Sequence, residues 1–535
     1  MKSRGERYSG FWIVALIVLS GLSGCGDDNG PAAPDLPFLR LVANQTVQST
    51  ILSRGINYAV LLPEGYDKSS ESYPVVYLLH GFGDDETAWY TDGSLQFYVD
   101  RYIAETVPMI YVMPQGFNTY YIDRYNGTYP YMDMFVKELV PAIDSKFRTK
   151  KDKTQRAVMG YSMGGYGALI LPVMHPDVFT ISVPLSMSFR TDEQYIAETQ
   201  GSFDGQWAPN FGPGAGVSGS ARLSDYFKAR SPFHFFNTAD ITAFNNLKFM
   251  IDCGDDEESL SITNDALHVL MRDHEIPHEY RVRSGAHSWD YWKKSYPEAL
   301  KFISHAVQGT AYPAEPDPVA IGTPIQNGDY QTVTLPETTL SLNVLTPAGY
   351  TTTTTDYPVL YLVHQYENDK RTEDAINVFS LLRNAMAARK IPESIIVEIP
   401  AAETTINGPL MEDIVSYIDA EYRTEHEKNG RVVMGNGTGG DWASAVVTGN
   451  ADLFNSCFLF NAPFTNDTPE AVTGVFYYLD ITNHASGYKG YNTIYTQIRN
   501  EGIEYEYRVR QGSETYQSFL NGLEESFPVL KEMLK

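Results

Sequence analysis

The sequence has few cysteines, few positive charges and only a short uninterrupted hydrophobic run. Three cysteines in 535 residues provide neither a disulfide framework nor a metal cluster. Lys and Arg number 40 against 66 Asp and Glu, which leaves a net charge of -26. Phosphate binding depends on clustered cations, so this composition argues against nucleic acid as a partner. We expect neither a metal nor another cofactor.

An apolar run of twelve residues, FWIVALIVLSGL, lies within the first 25 residues and follows a basic stretch. It is too short for a confident membrane span, and residues 1–25 have the organisation of a signal peptide. The ending LSGC resembles a bacterial lipobox, which implies that Cys25 is lipidated and becomes the N-terminus; an ordinary secretory signal is the alternative. Residues 26–37 then form a spacer.

Acyl chains on Cys25 would hold an exported protein on a membrane surface without spanning it. We therefore expect a lipid anchor in the bacterial cell envelope as the membrane contact. The acidic pair Asp27–Asp28 favours the outer membrane and a surface-facing location.

One motif occurs twice in the chain. RAVMGYSMGGYGA covers 156–168, and RVVMGNGTGGDWA follows 275 residues later at 431–443. Further pairs, such as YPVVYLLH and YPVLYLVH, extend the similarity, and a segment rich in Pro and Gly separates the copies. The pattern predicts two tandem domains, 38–306 and 320–535, joined by a linker at 307–319.

Each copy alternates short β-branched apolar runs with helix-like segments. This alternation predicts α/β domains with mostly parallel central sheets and helices on both faces. The first copy holds 48 additional residues around GSFDGQWAPNFGPGAGVSGSARLSDYF. We expect a surface insertion over the carboxyl ends of the strands, acting as a lid or substrate wall; a disordered decoration is the alternative. Cys253 and Cys457 are expected to be buried free thiols.

The segment Gly160–Gly164, GYSMG, follows a strand-like run and precedes a helix-like run. This is the setting of a nucleophile elbow, in which a serine occupies a strained turn with positive φ. Small neighbours are needed because larger side chains would collide with the adjacent strand and helix. Ser162 is therefore the predicted nucleophile.

A serine nucleophile needs a histidine base downstream, ordinarily after an acid. Among the eleven histidines, His287 is in a loop after a strand near the end of the first domain. The histidines that lie on or beside a helix are expected at the surface: His268, His274 and His278. The loop CGDDEES offers four candidate acids, and spacing alone does not choose among them: Asp255, Asp256, Glu257 and Glu258.

The loop LLHGFGDDETAW can direct a backbone N–H toward a developing oxyanion. The N–H groups of Phe82 and Met163 are the predicted oxyanion-hole donors. Aromatic residues near the motifs suit stacking on a feruloyl ring or a sugar, and we name Trp89 and Trp289 as candidate substrate contacts.

These blocks, LLHGFGDDETAW, GYSMGGYGAL, IDCGDD and GAHSWDYW, resemble the "Putative esterase" group of α/β-hydrolases. That group includes feruloyl and acetylxylan esterases of carbohydrate esterase family one, S-formylglutathione hydrolase, enterochelin esterases and mycolyltransferases. The resemblance implies that Ser162 is the nucleophile and His287 the base. It implies Glu257 as the acid, with Asp256 equally compatible because the loop is one residue longer than usual.

The expected function is that of a serine esterase, a carboxylic ester hydrolase acting through an acyl-enzyme. Its substrate is expected to be a polysaccharide-linked or small-molecule ester, with feruloyl or acetyl groups on polysaccharide favoured. The alternatives are a siderophore-ester hydrolase, an acyltransferase, or a surface lipoprotein that only binds glycan.

The second copy lacks the catalytic residue types. Gly437 stands opposite Ser162, and Glu514 stands opposite His287. The sequence therefore predicts that 320–535 is a degenerate, non-catalytic esterase-like domain, kept for packing or for holding glycan.

Overall fold

The computed structural model describes residues 40–238, 241–326, 328–364, 371–400, 407–464 and 469–534. Residues from Arg40 onward form one compact unit. The described part of the chain leaves out residues 1–39, and with them the predicted signal peptide, the lipidation site Cys25 and the whole spacer at 26–37. These predictions stay predictions.

Sixteen strands of the described residues form one mostly parallel sheet. They are β1 (Leu41–Ser49), β2 (Arg54–Leu61), β3 (Val75–Leu79), β4 (Ile110–Pro114), β5 (Arg156–Tyr161), β6 (Ile181–Leu185), β7 (Lys248–Gly254), β8 (Glu279–Arg283), β9 (Gln331–Thr334), β10 (Ser341–Leu345), β11 (Val359–His364), β12 (Ile395–Pro400), β13 (Arg431–Asn436), β14 (Ser456–Phe460), β15 (Phe476–Thr482) and β16 (Tyr505–Arg510).

Helices cover both faces of this sheet, as the alternation of apolar runs predicts. The α-helices are α1 (Ala88–Thr91), α2 (Leu95–Arg101), α3 (Tyr131–Met134), α4 (Val140–Lys146), α5 (Met163–Met174), α6 (Asp192–Ala197), α7 (Gln200–Ser202), α8 (Ala208–Phe211), α9 (Asp225–Lys228), α10 (Pro232–Thr238), α11 (Glu258–Asp273), α12 (Trp289–Gln308), α13 (Arg371–Ala387), α14 (Gly408–Glu421), α15 (Thr438–Gly449), α16 (Tyr488–Glu501), α17 (Tyr516–Glu525) and α18 (Phe527–Met533). Two π-helical segments, Phe135–Leu139 and Phe203–Trp207, continue neighbouring helices. Single 3₁₀ turns occur at Tyr66–Lys68, Lys153–Gln155, Gly219–Arg222, Ile241–Phe244, Tyr350–Thr352 and Lys428–Gly430.

The strand order is the same in the two halves of the sheet. From one edge it runs β1-β2-β4-β3-β5-β6-β7-β8, and from the other edge β9-β10-β12-β11-β13-β14-β15-β16. The strands next to each outer edge are antiparallel, and those that follow are parallel. Parallel strands in the middle of a covered sheet read as continuous apolar runs, which explains sequences such as VVYLL in β3.

Side chains alternate between two cores because successive residues of a strand point to opposite faces. In β3, Val75 and Tyr77 enter one core and Val76 enters another. In β11, Val359 contributes to the same core as Val75, whereas Leu360 contributes to a third. One face of the sheet thus has a core shared by both halves, and the other face has a separate core for each half.

The two halves meet edge to edge, where β8 and β16 pair in antiparallel fashion through Val282 and Val509. The sequence predicts two domains but not this continuous sheet. The pairing of β8 with β16 depends on contacts between residues more than 200 positions apart, for which neither strand carries a local sequence signal. Among the described residues between α12 and β9 there is no helix or strand, and the linker boundaries stay a prediction.

The additional residues of the first half follow β6 and lie between it and β7. They form α6 to α9, and the side chains of Phe203, Trp207 and Phe211 are fully buried, whereas that of Tyr226 is half-buried. The alternative of a disordered decoration is therefore wrong. This segment packs onto the domain through Tyr120, whose ring centroid lies 5.1 Å from that of Trp207.

Both cysteines of the described residues are buried and free, as predicted. The expectation of surface histidines is wrong for His268 and His278, which are 3% and 9% exposed and form a 2.8 Å hydrogen bond between their rings. Burial lowers the pKa of both imidazoles. No motif in the sequence indicates this pair, since polar residues on or beside a helix are ordinarily exposed.

Candidate active site

Ser162 lies at the turn between β5 and α5, with φ 57° and ψ -120°. A non-glycine residue in this region is strained and needs surrounding structure to hold it. The glycines around it are required by close packing. A Cβ on Gly160 would lie 2.2 Å from the carbonyl oxygen of Gly164, and a Cβ on Gly164 would lie 2.2 Å from that of Leu79. The segment therefore has the geometry of a nucleophile elbow.

The structure brings Ser162 and His287 together over 125 residues of sequence. Ser162 Oγ and His287 Nε2 are 2.9 Å apart, a hydrogen-bond distance at which the hydroxyl can donate to the ring. His287 Nδ1 lies 2.7 Å from Glu257 Oε2. The side chain of His287 is 37% exposed, whereas that of Glu257 is fully buried. The imidazole thus connects a buried carboxylate to a hydroxyl that a substrate can reach.

Of the two acids compatible with the family pattern, Glu257 contacts the imidazole. Asp256 is exposed, and its N–H donates to the carbonyl oxygen of Gly285. Asp255 is buried but directs its carboxylate at the N–H of Gly285 and at the second half of the chain. The order Ser162, Glu257, His287 along the chain is that of α/β-hydrolase triads.

Sequence reasoning missed the role of Ser186, whose side chain contacts the carboxylate, and that of Trp292, which contacts Ser186. Ser186, at the end of β6, donates to Glu257 Oε1 at 2.5 Å, and the N–H of Gly254 donates to the same oxygen at 2.8 Å. Trp292 Nε1 donates in turn to Ser186 Oγ at 2.8 Å. Ser186 has φ 48° and belongs to no motif. A lone serine after a strand carries no signal of this role.

The two predicted oxyanion donors belong to adjacent segments. Met163 opens α5, and the first N–H groups of a helix have no partner inside it. A Cβ added to Gly164 would lie 2.8 Å from the carbonyl oxygen of His80. The loop that contains Phe82 therefore starts in close contact with the first turn of α5. The N–H groups of Phe82 and Met163 therefore remain the predicted donors of the oxyanion hole.

The conformation of the Phe82 loop depends on a buried histidine. His80 Nδ1 donates to the carbonyl oxygen of Gly81 at 2.8 Å, and His80 Nε2 accepts from the N–H of Gly116 at 2.7 Å. Burial lowers the pKa of His80, which agrees with a neutral ring that donates with one nitrogen and accepts with the other. The ring fixes the start of the loop without placing a charge beside the nucleophile.

One of the two predicted aromatic contacts is wrong. Trp89 is fully buried, between Tyr161 and Tyr296, and its ring has no surface for a substrate. Sequence cannot separate such a residue from a binding residue, because a large apolar ring suits both places. Trp289 is half-buried at the start of α12, two residues after His287 in the sequence, and stays a candidate contact.

No group of three or more potential metal ligands occurs in the part of the chain that the structure describes. Within the same residues, no helix is long and apolar enough to cross a membrane.

Comparison with known proteins agrees with this geometry. Residues 49–303 match the family model described as "Putative esterase". An endo-1,4-beta-xylanase/feruloyl esterase from Xylanibacter ruminicola is 36% identical over 129 residues, which are 22% of this chain and 18% of that protein. An acetyl esterase from Caldicellulosiruptor saccharolyticus is 23% identical over 239 residues, or 44% of this chain and 86% of that protein.

Among solved structures, a ferulic acid esterase is similar with a TM-score of 0.42 and 28% identity, covering 50% of this chain and 98% of that one. The chain thus spans less than a fifth of the xylanase/feruloyl esterase that it matches. Ser162, Glu257 and His287 all lie inside residues 49–303, the region that matches the "Putative esterase" family model.

Proposed function

We propose that this protein is an exported serine esterase that removes feruloyl or acetyl groups from polysaccharide. The observation that carries the proposal is the continuous pair of hydrogen bonds from Ser162 through His287 to the buried carboxylate of Glu257. A hydroxyl in a strained elbow, a base and an orienting acid form the machinery of acyl transfer to serine.

In the proposed reaction, His287 Nε2 takes the proton of Ser162 as Oγ attacks the ester carbonyl carbon. The N–H groups of Phe82 and Met163 donate to the developing oxyanion, a contribution of about 3–4 kcal/mol for each donor. His287 then gives the proton to the leaving alcohol oxygen. Water attacks the acyl-enzyme with His287 again as base, which releases the acid and restores Ser162.

Glu257 keeps its negative charge through this cycle. Its contact with Nδ1 holds the tautomer in which Nε2 is free to accept a proton, and it stabilises the imidazolium that forms. Because Ser186 and Gly254 occupy its other oxygen, the carboxylate has one orientation.

The proposed substrate is supported by two relatives, one named endo-1,4-beta-xylanase/feruloyl esterase and the other acetyl esterase. The predicted signal peptide and lipidation site Cys25 favour export and anchoring, and a protein held at the cell envelope meets polymer esters rather than cytosolic thioesters. Trp289 is the proposed aromatic contact for the acyl group or the sugar.

We propose further that residues 320–535 are non-catalytic. Gly437 lies at the turn between β13 and α15 with φ 58° and ψ -130°, close to the values of Ser162. The turn offers no side chain there to act as a nucleophile. The identical strand order of the two halves supports a common architecture, in which glycine adopts the positive φ at low cost.

One experiment tests both proposals. Full-length wild type and Ser162→Ala are assayed on methyl ferulate and p-nitrophenyl acetate, with kcat of the variant expected to fall by about 10⁴- to 10⁶-fold. A catecholate siderophore ester and a transfer assay with a second alcohol are run beside them. Faster turnover of the catecholate, or transfer exceeding hydrolysis, would replace the polysaccharide proposal. Variant activity above a tenth of wild type would show that Ser162 is not the nucleophile or that the second half hydrolyses esters.

A further inference from the structure

The loop with the triad acid is held from outside the esterase-family region. Glu257 lies between Asp255 and Glu258 in the turn from β7 to α11. The carbonyl oxygen of Asp255 accepts hydrogen bonds from Tyr495 OH at 3.0 Å and from Tyr505 OH at 2.9 Å. Arg499 donates to the carbonyl oxygens on both sides of Glu257, at 3.2 Å to Asp255 and at 2.7 Å to Glu258.

The carboxylate of Asp255 extends these contacts to the loop of His287. Its Oδ1 accepts from the N–H of Gly285, two residues before His287, at 3.0 Å. Its Oδ2 accepts from Arg508 Nη1 at 2.7 Å and from the N–H of Tyr507 at 3.1 Å. Asp255 is 1% exposed, so this single side chain joins the acid loop, the base loop and β16 in a site closed to water.

The acid loop needs such support because its backbone is strained. Glu258 has φ 48°, in the left-handed region that side chains other than those of glycine rarely adopt. Strained residues persist where the surrounding contacts determine their conformation. Arg499 supplies one of those contacts at the carbonyl oxygen of Glu258 itself.

The helix that begins after Glu257 is fixed at a second place by the same half of the chain. Asp265, in the middle of α11, accepts hydrogen bonds from Asn492 Nδ2 at 2.6 Å and from Tyr507 OH at 3.0 Å. The start and the middle of this segment are therefore both attached to α16 and β16.

We infer that Tyr495, Arg499, Tyr505 and Arg508 are positioning residues for the catalytic acid, so that the second half of the chain sets the geometry of the first half's active site. The inference rests on the proposed function of Ser162, His287 and Glu257. It assigns to the second half a role in catalysis that needs no reactive group of its own. None of the four residues touches the reacting atoms.

The test compares tyrosine-to-phenylalanine variants at one interface. Tyr495→Phe with Tyr505→Phe removes two hydroxyl groups from the acid loop and leaves both rings in place. Tyr488→Phe is the matched control, since Tyr488 OH donates at 2.6 Å to Asp273 at the far end of α11. Arg499→Met serves as the second perturbation if the double variant does not fold.

We expect kcat of the double variant on p-nitrophenyl acetate to fall by about 10- to 100-fold with KM within about twofold, because small displacements of a catalytic group cost this much. The control should keep wild-type kcat. Amide hydrogen exchange of 254–258 and 284–288, measured by mass spectrometry, should accelerate in the double variant and in Arg499→Met but not in the control.

Double-variant kinetics and exchange equal to those of the control would overturn the inference, as would a loss of thermal stability without a change in kcat. The exchange measurement does not depend on any ester. If wild type hydrolyses no ester while exchange still accelerates in the acid loop, the proposed function fails and the mechanical attachment of the loop stands, so the two failures are distinguishable.

Discussion

Replacing Glu257 by glutamine tests the acid of the triad with a nearly isosteric change. The structure gives this carboxylate three donors: His287 Nδ1, Ser186 Oγ and the N–H of Gly254. An amide keeps the volume but carries no charge, and its NH₂ group can donate where the carboxylate only accepts. The loss of charge and the added donor both destabilise the protonated, positively charged imidazole of His287.

The magnitude follows from the contact distance and the burial. With His287 Nδ1 2.7 Å from the carboxylate, the centres of charge in the protonated state are about 4 Å apart. Two opposite unit charges at that separation attract by about 4 kcal/mol at an effective dielectric constant of about 20. This equals about 10³ in rate, and losing the preference for the productive tautomer brings the expected fall in kcat to about 10³–10⁴.

The assay is steady-state hydrolysis of p-nitrophenyl acetate by the full-length protein. Asp256→Asn is the matched control, because it removes an exposed carboxylate from the neighbouring position. We expect Glu257→Gln to lose kcat with little change in KM and Asp256→Asn to keep both. Retention of a tenth of wild-type kcat by Glu257→Gln, or an equal loss in the control, would refute the assignment.

Three further changes have defined outcomes. Cys25→Ser should shift the protein from the membrane fraction to the soluble fraction, and an unmodified N-terminus at another site by intact mass would contradict lipidation. Gly164→Ala should prevent folding or abolish activity, since its Cβ would lie 2.2 Å from the Leu79 carbonyl oxygen; a fully active variant with wild-type Tm would contradict this packing. Burial raises the pKa of Asp265 from 3.8 to about 6. Because the folded state binds this proton more tightly than the unfolded state, the contribution of Asp265 is greatest below pH 4 and declines by up to about 3 kcal/mol as pH rises through 6. Asp265→Asn should remove that decline from urea-unfolding curves, and unchanged pH dependence would contradict it.

The elements that sequence predicts well are those with local causes. The glycines on either side of Ser162 predict the nucleophile elbow. The role of His287 as the base is predicted by its order in the chain and its position after a strand. The alternation of apolar runs similarly predicts the parallel sheet, because period and length distinguish strand from helix locally.

What sequence does not predict depends on contacts between distant segments. Whether Glu257 or Asp256 is the triad acid depends on which side chain faces the imidazole. The two residues are adjacent in an acidic loop, so the sequence alone does not distinguish them. Trp89 and Trp289 are both tryptophans near a motif, so the sequence does not distinguish them. In the structure Trp89 is buried and Trp289 is half-buried. Ser186 has no motif, and only the fold reveals it as a donor to the acid.

The contacts on the acid loop also limit what similarity over part of the chain can convey. The esterase-family match ends at residue 303, whereas the groups that bind Asp255 and Glu258 lie between Tyr495 and Arg508. A buried carbonyl or carboxylate that loses its partner costs about 1–3 kcal/mol or more, so these acceptors need donors in any working form of this site. In this chain the second half provides them. We therefore expect the second half to contribute to catalysis through the loop at Asp255 and Glu258, in addition to the contacts that Ser186 and the N–H of Gly254 make with Glu257 within the first half.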